Sequence, residues 1–416
     1  PEPLAPDSSY GESITIAAPR TWSDVARWYA GLSRDRYATS PAMDAKLADV
    51  VKEARTLDDT LRAVHRWVAQ DFRYVSLSLG IGGYQPHLPE SMFENKYGDC
   101  KDKATFFIAL ARRMGVTAYP VLLRSFGGVD RTLPSGNQFD HMIAAVDRNG
   151  VRTYVDLTAE IVPFGSLPPA EQGEFGLLVH PDGTSEEITF TTDSASGNKS
   201  ETYLVGSLTP DGLFSGKWTS KASGAQQYAL RGSMMKSTKP DSAERARTTL
   251  AIANAIFAGS AGDSLQLFDG RDLAAEPKIS LLIRHGKAAS DAGGTEILTI
   301  PLRSYSFPSF ISSLEARGPR KYPIVAEKVW GPRTELEDLR LTLPDGWKAK
   351  LPASDTATSI FGAYASEYAQ NGRELHVSRR LTGTEGVYSA QKMDELMGWL
   401  KKMSADDAKY IILEHK

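Results

Sequence analysis

Residues 97–104, Tyr97-Gly98-Asp99-Cys100-Lys101-Asp102-Lys103-Ala104, decide how the first half of this chain is interpreted, because they contain its only cysteine. A single thiol cannot form an internal disulfide or supply a multi-cysteine metal site. A lone cysteine is ordinarily a small buried hydrophobe. Here, however, a glycine-containing turn delivers Cys100 to the start of an apolar helix predicted over 102–114 and ended by Gly115.

The start of a helix is a suitable place for a reactive thiol. Its partial positive charge and unpaired N–H groups stabilise a thiolate relative to a thiol. Lys101 and Lys103 act in the same direction. We therefore interpret Cys100 as a candidate nucleophile, which also needs a base and a group that orients the base.

A predicted hairpin supplies both partners. His141 opens a strand over 142–146, Asp156 lies in a strand over 153–157, and Asn149-Gly150 between them is a strong turn signal. A two-residue turn makes His141 and Asp156 diagonal neighbours on one face, and a four-residue turn places them directly opposite each other. A three-residue turn would move Asp156 to the other face. Two of the three turns therefore bring a base and an orienting carboxylate together.

The order of elements predicts an α+β fold. Helices are expected over 21–32, 41–54 and 56–72, followed by the helix that Cys100 opens and by short strands, the first over 119–124. The remainder is mainly β and is expected to be sandwich-like. The stretch 191–199 has linker composition. This predicts a core domain over 10–190 and a β-rich region over 195–416, with a possible further break near 319–329.

These motifs resemble the transglutaminase-like superfamily with its papain-like core. The resemblance rests on Gly98–Asp102, Phe139-Asp140-His141 and Tyr154–Thr158, and it covers residues from about 20 to 180. It is strongest for a bacterial branch in which Gly-Asp-Cys-Lys-Asp opens the core helix and β-rich domains accompany the core. The resemblance implies that Cys100 is the nucleophile, His141 the general base and acid, and Asp156 the orienting residue.

The same branch is often exported to the periplasm, which implies that location here. The chain begins Pro1-Glu2-Pro3-Leu4 without an initiating methionine or a signal peptide, so we expect that an upstream segment was removed. No apolar run reaches the length of a membrane span. With 48 basic and 51 acidic residues the net charge is −3, which argues against a chain dominated by a nucleic-acid-binding surface.

The sequence indicates the hydrogen-bond donors for an oxyanion less clearly than it indicates Cys100, His141 and Asp156. The Cys100 N–H is one natural donor, and Gln85 or Tyr84, in a glycine-rich loop over 80–89, could supply a second. We expect no cofactor and no metal, because His87 lacks a partner at ligand spacing and no acidic run has calcium-loop spacing. His65 is expected to be a packing residue.

The leading interpretation is a cysteine-dependent enzyme that acts on amide bonds of a protein or peptide. An acyl group on Cys100 could pass to water, as in a peptidase or amidase, or to an amine, as in a transglutaminase, and hydrolysis is the default expectation. The alternative is a non-enzymatic accessory or scaffold subunit that uses this fold for protein binding. In either case the β-rich half is a candidate surface for a protein partner.

Overall fold

The computed structural model describes residues 2–6, 16, 18, 20–77, 79–125, 128–148, 150–235, 242–301, 307–316 and 318–415. The chain forms two compact units, one of residues 13–192 and one of residues 1–12 together with 193–416. Among the described residues, no helix combines the length and the apolar character needed to cross a membrane.

Five helices in the described part of the first unit carry the site. They are α1 (Trp22–Ser33), α2 (Pro41–Val50), α3 (Leu57–Asp71), α4 (Pro89–Asn95) and α5 (Cys100–Arg113). The helices α1, α3 and α5 all begin with a capping box, in which an aspartate three residues on exchanges hydrogen bonds with the N-cap residue. The predicted helices are confirmed, but α4 was not expected, because its seven residues are too few to show an apolar period.

Helix α5 is the centre of this unit. Every side chain from Lys101 to Ala111 is buried, so the helix has no solvated face. The aromatic rings of Trp67, Phe72 and Phe106 pack edge to face against one another beside it. A helix enclosed in this way places its first residue, Cys100, in a rigid setting.

A five-stranded antiparallel sheet lies beside these helices, in the order β5-β4-β3-β6-β7. Its strands are β3 (Thr117–Leu123), β4 (His141–Arg148), β5 (Val151–Val155), β6 (Phe175–Val179) and β7 (Ser185–Thr189), and a short parallel pair, β1 (Arg73–Tyr74) with β2 (Tyr97–Gly98), precedes it. Alternate residues face two separate cores, with Leu122, Met142 and Ala144 in one and Val121, Ile143 and Ala145 in the other. The strands β6 and β7 were not predicted. All five residues of β6 are buried, so that strand shows no polar alternation.

The register of the hairpin decides between the predicted turns. Arg148 pairs with Val151 and Ala144 with Val155, which is the pairing of a two-residue turn. Asn149, one of the two turn residues, lies outside the described residues.

The second unit is rich in strands and contains an eight-stranded sheet. The eight strands are, in spatial order, β10 (Ala261–Gln266), β11 (Lys278–Lys287), β9 (Leu213–Ser223), β8 (Lys199–Leu208), β15 (Thr334–Thr342), β19 (Glu374–Gly383), β18 (Gly362–Asn371) and β17 (Asp355–Ser359). The turn at Pro210-Asp211-Gly212 joins β8 and β9 as a hairpin, in which Leu208 pairs with Phe214. Strand β8 runs parallel to β15 over nine residue pairs, so the sheet is continuous across the possible break near 319–329.

A second, four-stranded sheet shares a hydrophobic core with the first. Its order is β12 (Ala289–Asp291), β13 (Glu296–Thr299), β21 (Tyr410–Glu414) and β16 (Lys348–Lys350). Leu339 and Val377 of the large sheet lie in one apolar cluster with Leu298 and Ile411 of the small sheet. The other elements are α6 (Gln226–Met235), α7 (Ser242–Ile256), α8 (Phe307–Glu315), α9 (Ala326–Val329), α10 (Met393–Asp407) and the strand pair β14 (Ile324–Val325) with β20 (Val387–Tyr388).

Candidate active site

The residues around Cys100 form a tight helix start. Asp99 caps α5 by accepting from the Asp102 N–H, and the Asp102 carboxylate accepts from the Asp99 N–H, both at 3.2 Å. Gly98 is required because a Cβ at this position would lie 2.7 Å from the Asp102 Cβ. The motif Gly98-Asp99-Cys100-Lys101-Asp102 therefore encodes one local structure, which sets Cys100 as the first residue of the helix.

The two lysines of the motif have partners of their own. Lys101 is buried and forms an ion pair with Asp99. Lys103 is fully buried, and its Nζ donates to the carbonyls of Ala69 at 2.9 Å and Phe72 at 3.0 Å. Desolvation lowers the pKa of Lys103 to about 8. The Lys103 ammonium therefore binds carbonyls at the end of α3, a partner that the sequence did not predict.

His141 and Asp156, the predicted partners of Cys100, lie together. The His141 Nε2 is 3.4 Å from the Asp156 Oδ1, and both side chains are buried, with 10% and 3% of their surface exposed. Cys100 is half-buried, and its side chain is within hydrogen-bonding reach of the His141 imidazole. The hairpin supplies the carboxylate and the imidazole, and the start of α5 places the thiol beside them.

Asp156 is itself held from two sides. The Thr158 N–H and hydroxyl both donate to its Oδ1 at 2.8 Å. Behind it lies His65 of α3, which interacts with Asp156, and burial lowers the pKa of His65 to about 4. His65 also packs against Phe164. It is the buried packing residue that the sequence predicted, and in addition it supports the position of Asp156.

Glu171 is a member of this cluster that the sequence did not reveal. It lies in the turn before β6, and its Oε1 is 3.5 Å from the His141 Nε2. Only 4% of its side chain is exposed, and its Oε2 has no hydrogen-bond partner among the described residues. No spacing signal could have found it, because it follows β5 by a long irregular segment.

The three charged groups shift one another's titration. Burial opposes the charge on His141, but its contacts with Asp156, Cys100 and Glu171 outweigh burial and hold the pKa of His141 well above its ordinary value. Burial also acts against ionised Asp156, yet the hydrogen bond and charge of His141 lower the pKa of Asp156 to about 2. Burial, reinforced by the charge of Asp156, raises the pKa of Glu171 to about 7. The pKa values of the two carboxyl groups therefore lie far apart, at about 2 for Asp156 and about 7 for Glu171.

A cleft of about 470 Å³ opens onto Cys100 and His141. Its walls are mainly aromatic and apolar side chains together with three glycines. The lining residues are Trp28, Tyr29, Gly80, Gly83, Tyr84, Lys101, Leu122, Gly136, Phe139, Asp140 and Met142. Trp28 and Tyr84 are half-exposed and meet edge to face with ring centroids 5.4 Å apart. The cleft offers a largely apolar surface beside the Cys100 thiol.

The two residues proposed from sequence as oxyanion donors lie in different places. Tyr84 lines the cleft, and its hydroxyl donates to the Asn137 side chain at 3.2 Å. The Gln85 amide instead donates to the Leu32 carbonyl at 3.0 Å, and Gln85 is not among the cleft-lining residues. Tyr74, which pairs with Gly98 across β1 and β2, has its phenol within reach of the Cys100 side chain. Burial, together with Cys100, raises the pKa of Tyr74.

Comparisons with known proteins concern the fold of each unit. Residues 45–128, which include α5 and Cys100, match the model of the transglutaminase-like superfamily. The first unit has a transglutaminase-like core. Residues 302–413 of the second unit match a domain of unknown function with a solved structure (DUF3858). No curated protein matches this chain.

Two solved structures resemble the chain. A "putative protease" from Parabacteroides distasonis aligns with 9% identity and a TM-score of 0.53, over 95% of this chain and 59% of that one. This likeness concerns the fold, and the chain spans 59% of that protein's length. A "putative cysteine protease" from Cytophaga hutchinsonii aligns with 14% identity and a TM-score of 0.26, over 46% of this chain and 61% of that one.

One group in the transglutaminase-like core has donor atoms close enough to be considered for a metal. The ligand atoms of His141, Asp156 and Glu171 lie within 4.8 Å of one another, and no other described group of three or more does so. The same three side chains are the ones that shift one another's pKa values.

Proposed function

We propose that this chain is a cysteine-dependent acyl-transfer enzyme that acts on amide bonds of a protein or peptide. In this proposal Cys100 is the nucleophile, His141 the general base and acid, and Asp156 the residue that orients His141. The observation that carries the proposal is a single one: Cys100 and His141 open onto the same cleft, while Asp156 lies 3.4 Å behind the His141 Nε2.

The acylation step follows from the positions of these groups. The Nε2 side of His141 faces the carboxylates, which leaves Nδ1 for the thiol. The imidazole takes the thiol proton, and the Cys100 sulfur attacks the carbonyl carbon of the amide. When the tetrahedral intermediate collapses, the C–N bond breaks, and the imidazolium returns its proton to the leaving amine. The product is a thioester on Cys100.

The second step regenerates the thiol. His141 removes a proton from an incoming nucleophile, which attacks the thioester, and the C–S bond breaks as Cys100 regains a proton. Water releases an acid, as in a peptidase or amidase, and an amine gives a new amide, as in a transglutaminase. We take hydrolysis as the default outcome, because the cleft is open to solvent.

The negative charge that develops on the carbonyl oxygen needs donors. The backbone N–H of Cys100 has no hydrogen-bond partner in the described part of the chain, and it lies at the positive end of α5. The Tyr74 hydroxyl interacts with the Cys100 side chain and is a candidate second donor, whereas the Gln85 amide already binds Leu32. We therefore favour Tyr74 over Gln85 for this role.

The cleft also supports a substrate class. Half-exposed Trp28 and Tyr84 offer an aromatic surface, and Gly80, Gly83 and Gly136 let an extended chain approach the backbone closely. A peptide with an apolar side chain near the reacting bond fits these walls. We further propose that the protein is exported to the periplasm, as its family resemblance implies, and that the strand-rich second unit contacts a protein partner.

The test compares thiol reactivity in matched variants. Alkylation of Cys100 by iodoacetamide at neutral pH is measured for the parent, His141→Ala, Asp156→Asn and His180→Ala, a histidine of the same unit outside the cleft. We expect alkylation to slow strongly in His141→Ala, less in Asp156→Asn and not at all in His180→Ala. Parent-like rates in both site variants would show that the triad assignment is wrong.

Product analysis then distinguishes the reactions. Casein is incubated with the protein and a fluorescent primary amine, with Cys100→Ser as the control. New peptide fragments indicate hydrolysis, and covalent incorporation of the amine indicates transamidation. An unreactive Cys100 in the parent would contradict the enzyme and favour the alternative, a binding module with a transglutaminase-like fold.

A further inference from the structure

Glu171 is a buried carboxyl group in contact with the proposed catalytic imidazole. The His141 Nε2 lies 3.4 Å from an Asp156 oxygen and 3.5 Å from a Glu171 oxygen. One Nε2–H therefore faces two acceptors at nearly equal distances. An orienting role is usually given to one residue, and here the geometry does not distinguish the two candidates.

The two carboxyl groups differ in how their other lone pairs are used. Both oxygens of Asp156 contact Thr158, because the Thr158 N–H and hydroxyl donate to Oδ1 at 2.8 Å and the same hydroxyl lies 3.1 Å from Oδ2. Glu171 has a buried Oε2 without a partner among the described residues. A buried carboxylate with an unused acceptor is costly unless a positive charge lies beside it. The imidazolium form of His141 places such a positive charge beside the Glu171 carboxyl group, with its Nε2 3.5 Å from Oε1.

The turn that carries Glu171 is itself well anchored. The Glu171 N–H donates to the Pro168 carbonyl at 3.0 Å, and the Gly173 N–H donates to the Phe190 carbonyl at 3.1 Å. Gly173 has a φ of +79°, a conformation that favours glycine. The backbone that carries Glu171 is therefore fixed by hydrogen bonds, and the side chain that reaches His141 from it is buried.

We propose that Glu171 is a second positioning residue of the site, which shares with Asp156 the task of holding the Nε2–H of His141 and stabilises its imidazolium form. The inference rests on the proposed function, in which that imidazolium is the partner of the Cys100 thiolate. Its consequence is redundancy: either carboxylate alone keeps the ring oriented, so loss of Asp156 is only partly damaging.

Several other groups also act on this ring and have to be kept constant. Cys100 of α5, Tyr74 of β1 and Asp156 after β5 face His141 directly. Lys103 of α5 and His65 of α3 act on Asp156 from behind. Of these residues, the test changes Asp156 alone.

The test follows the titration of His141 by NMR in protein with labelled histidine rings, which requires no substrate. Full-length parent, Glu171→Gln, Asp156→Asn and the double variant are compared, and Glu174→Gln is the matched control. Glu174 lies in the same turn and undergoes the same chemical change, but its charge interacts with Arg131. The His141 signal is assigned by its loss in His141→Ala.

We expect Glu171→Gln to lower the pH midpoint of His141 by about one to three pH units, because a nearby carboxylate stabilises an imidazolium by that amount. The double variant should fall further than either single variant, and Glu174→Gln should match the parent. Glu171→Asp, which keeps the charge but withdraws it by one methylene, should fall between the parent and Glu171→Gln. If Glu171→Gln does not fold, the His141 midpoint measured in Glu171→Asp takes its place in the test.

An unchanged His141 midpoint in Glu171→Gln, or in Glu171→Asp if only that variant folds, overturns the inference. Such a result says nothing against Cys100 as nucleophile, which is tested by alkylation and product analysis. Conversely, a shifted midpoint in a protein that transfers no acyl group would support the positioning role while contradicting the proposed function.

Discussion

The carboxylate of Asp102 binds His87 twice. The His87 backbone N–H donates to Oδ1 at 2.8 Å, and the His87 Nδ1 lies 3.1 Å from Oδ2. The same carboxylate closes the capping box at the start of α5. One side chain therefore fixes both the helix that begins with Cys100 and the loop that forms one wall of the cleft.

Replacing Asp102 by alanine should loosen both structures. We expect a loss of about 1–2 kcal/mol in the free energy of unfolding, the usual effect of a lost helix cap, and rapid cleavage between residues 80 and 88 by a broad-specificity protease. The control is Asp59→Ala, which removes the corresponding capping box of α3 far from this loop. Equal cleavage of the loop in both variants would show that Asp102 does not anchor it.

Replacing Gly98 by alanine should displace the helix start. The new Cβ would lie 2.7 Å from the Asp102 Cβ, an atom that two hydrogen-bonded partners hold in place. We expect a loss of about 1–3 kcal/mol in stability, as for other overpacked sites, and slower alkylation of Cys100. Gly82→Ala is the control, since a Cβ there meets nothing within 4 Å. Parent-like alkylation in Gly98→Ala would contradict this account of the motif.

His65 should make the first unit sensitive to acid. Its pKa is about 4 in the folded protein and 6.5 for an unperturbed histidine, so the unfolded chain binds a proton that the folded chain excludes. Stability should therefore fall as the pH drops from 6.5 to 4, by about 3 kcal/mol at 1.36 kcal/mol per pH unit. Hydrogen exchange of buried amides in α3 and α5 measures this loss.

The variant His65→Gln, which retains a hydrogen-bond donor but does not titrate, should lose much less stability over the same pH range. His285→Asn changes an exposed histidine in the second unit and should behave like the parent. If His65→Gln keeps the full acid sensitivity of the parent, the cause lies in another group.

The first unit should fold without the second. Residues 13–192 contain α1 to α5, the five-stranded sheet and the whole Cys100–His141–Asp156 cluster, and their size is ordinary for an independent domain. We expect this fragment to show a cooperative circular-dichroism melt and the alkylation rate of the full chain. A fragment that is unfolded, or folded with an unreactive Cys100, would mean that the second unit completes the site.

Local signals account for the parts of the site that the sequence predicted. The capping pattern from Asp99 to Asp102 specifies a helix start within four residues, and the strand register around Gly150 brings His141 and Asp156 together within sixteen. The capping pattern and the hairpin register both depend on residues close together in the chain, and each is compatible with few local structures. The residues that lie outside such local patterns were missed or assigned elsewhere, as with Glu171, Tyr74 and the Gln85 amide.

By itself, the sequence determined the α+β order, the helix that Cys100 opens and the hairpin that pairs an imidazole with a carboxylate, because capping, apolar period and turn length act between near neighbours. Only the tertiary structure decided that a second carboxylate from the turn before β6 meets His141 and that Lys103 binds carbonyls at the end of α3. Those contacts join residues about 30 positions apart. An irregular segment brings Glu171 to His141, and the packing of α5 on α3 brings Lys103 to its carbonyls. Neither arrangement leaves a periodic trace in the sequence, and burial, not local propensity, selects the partner of each charge.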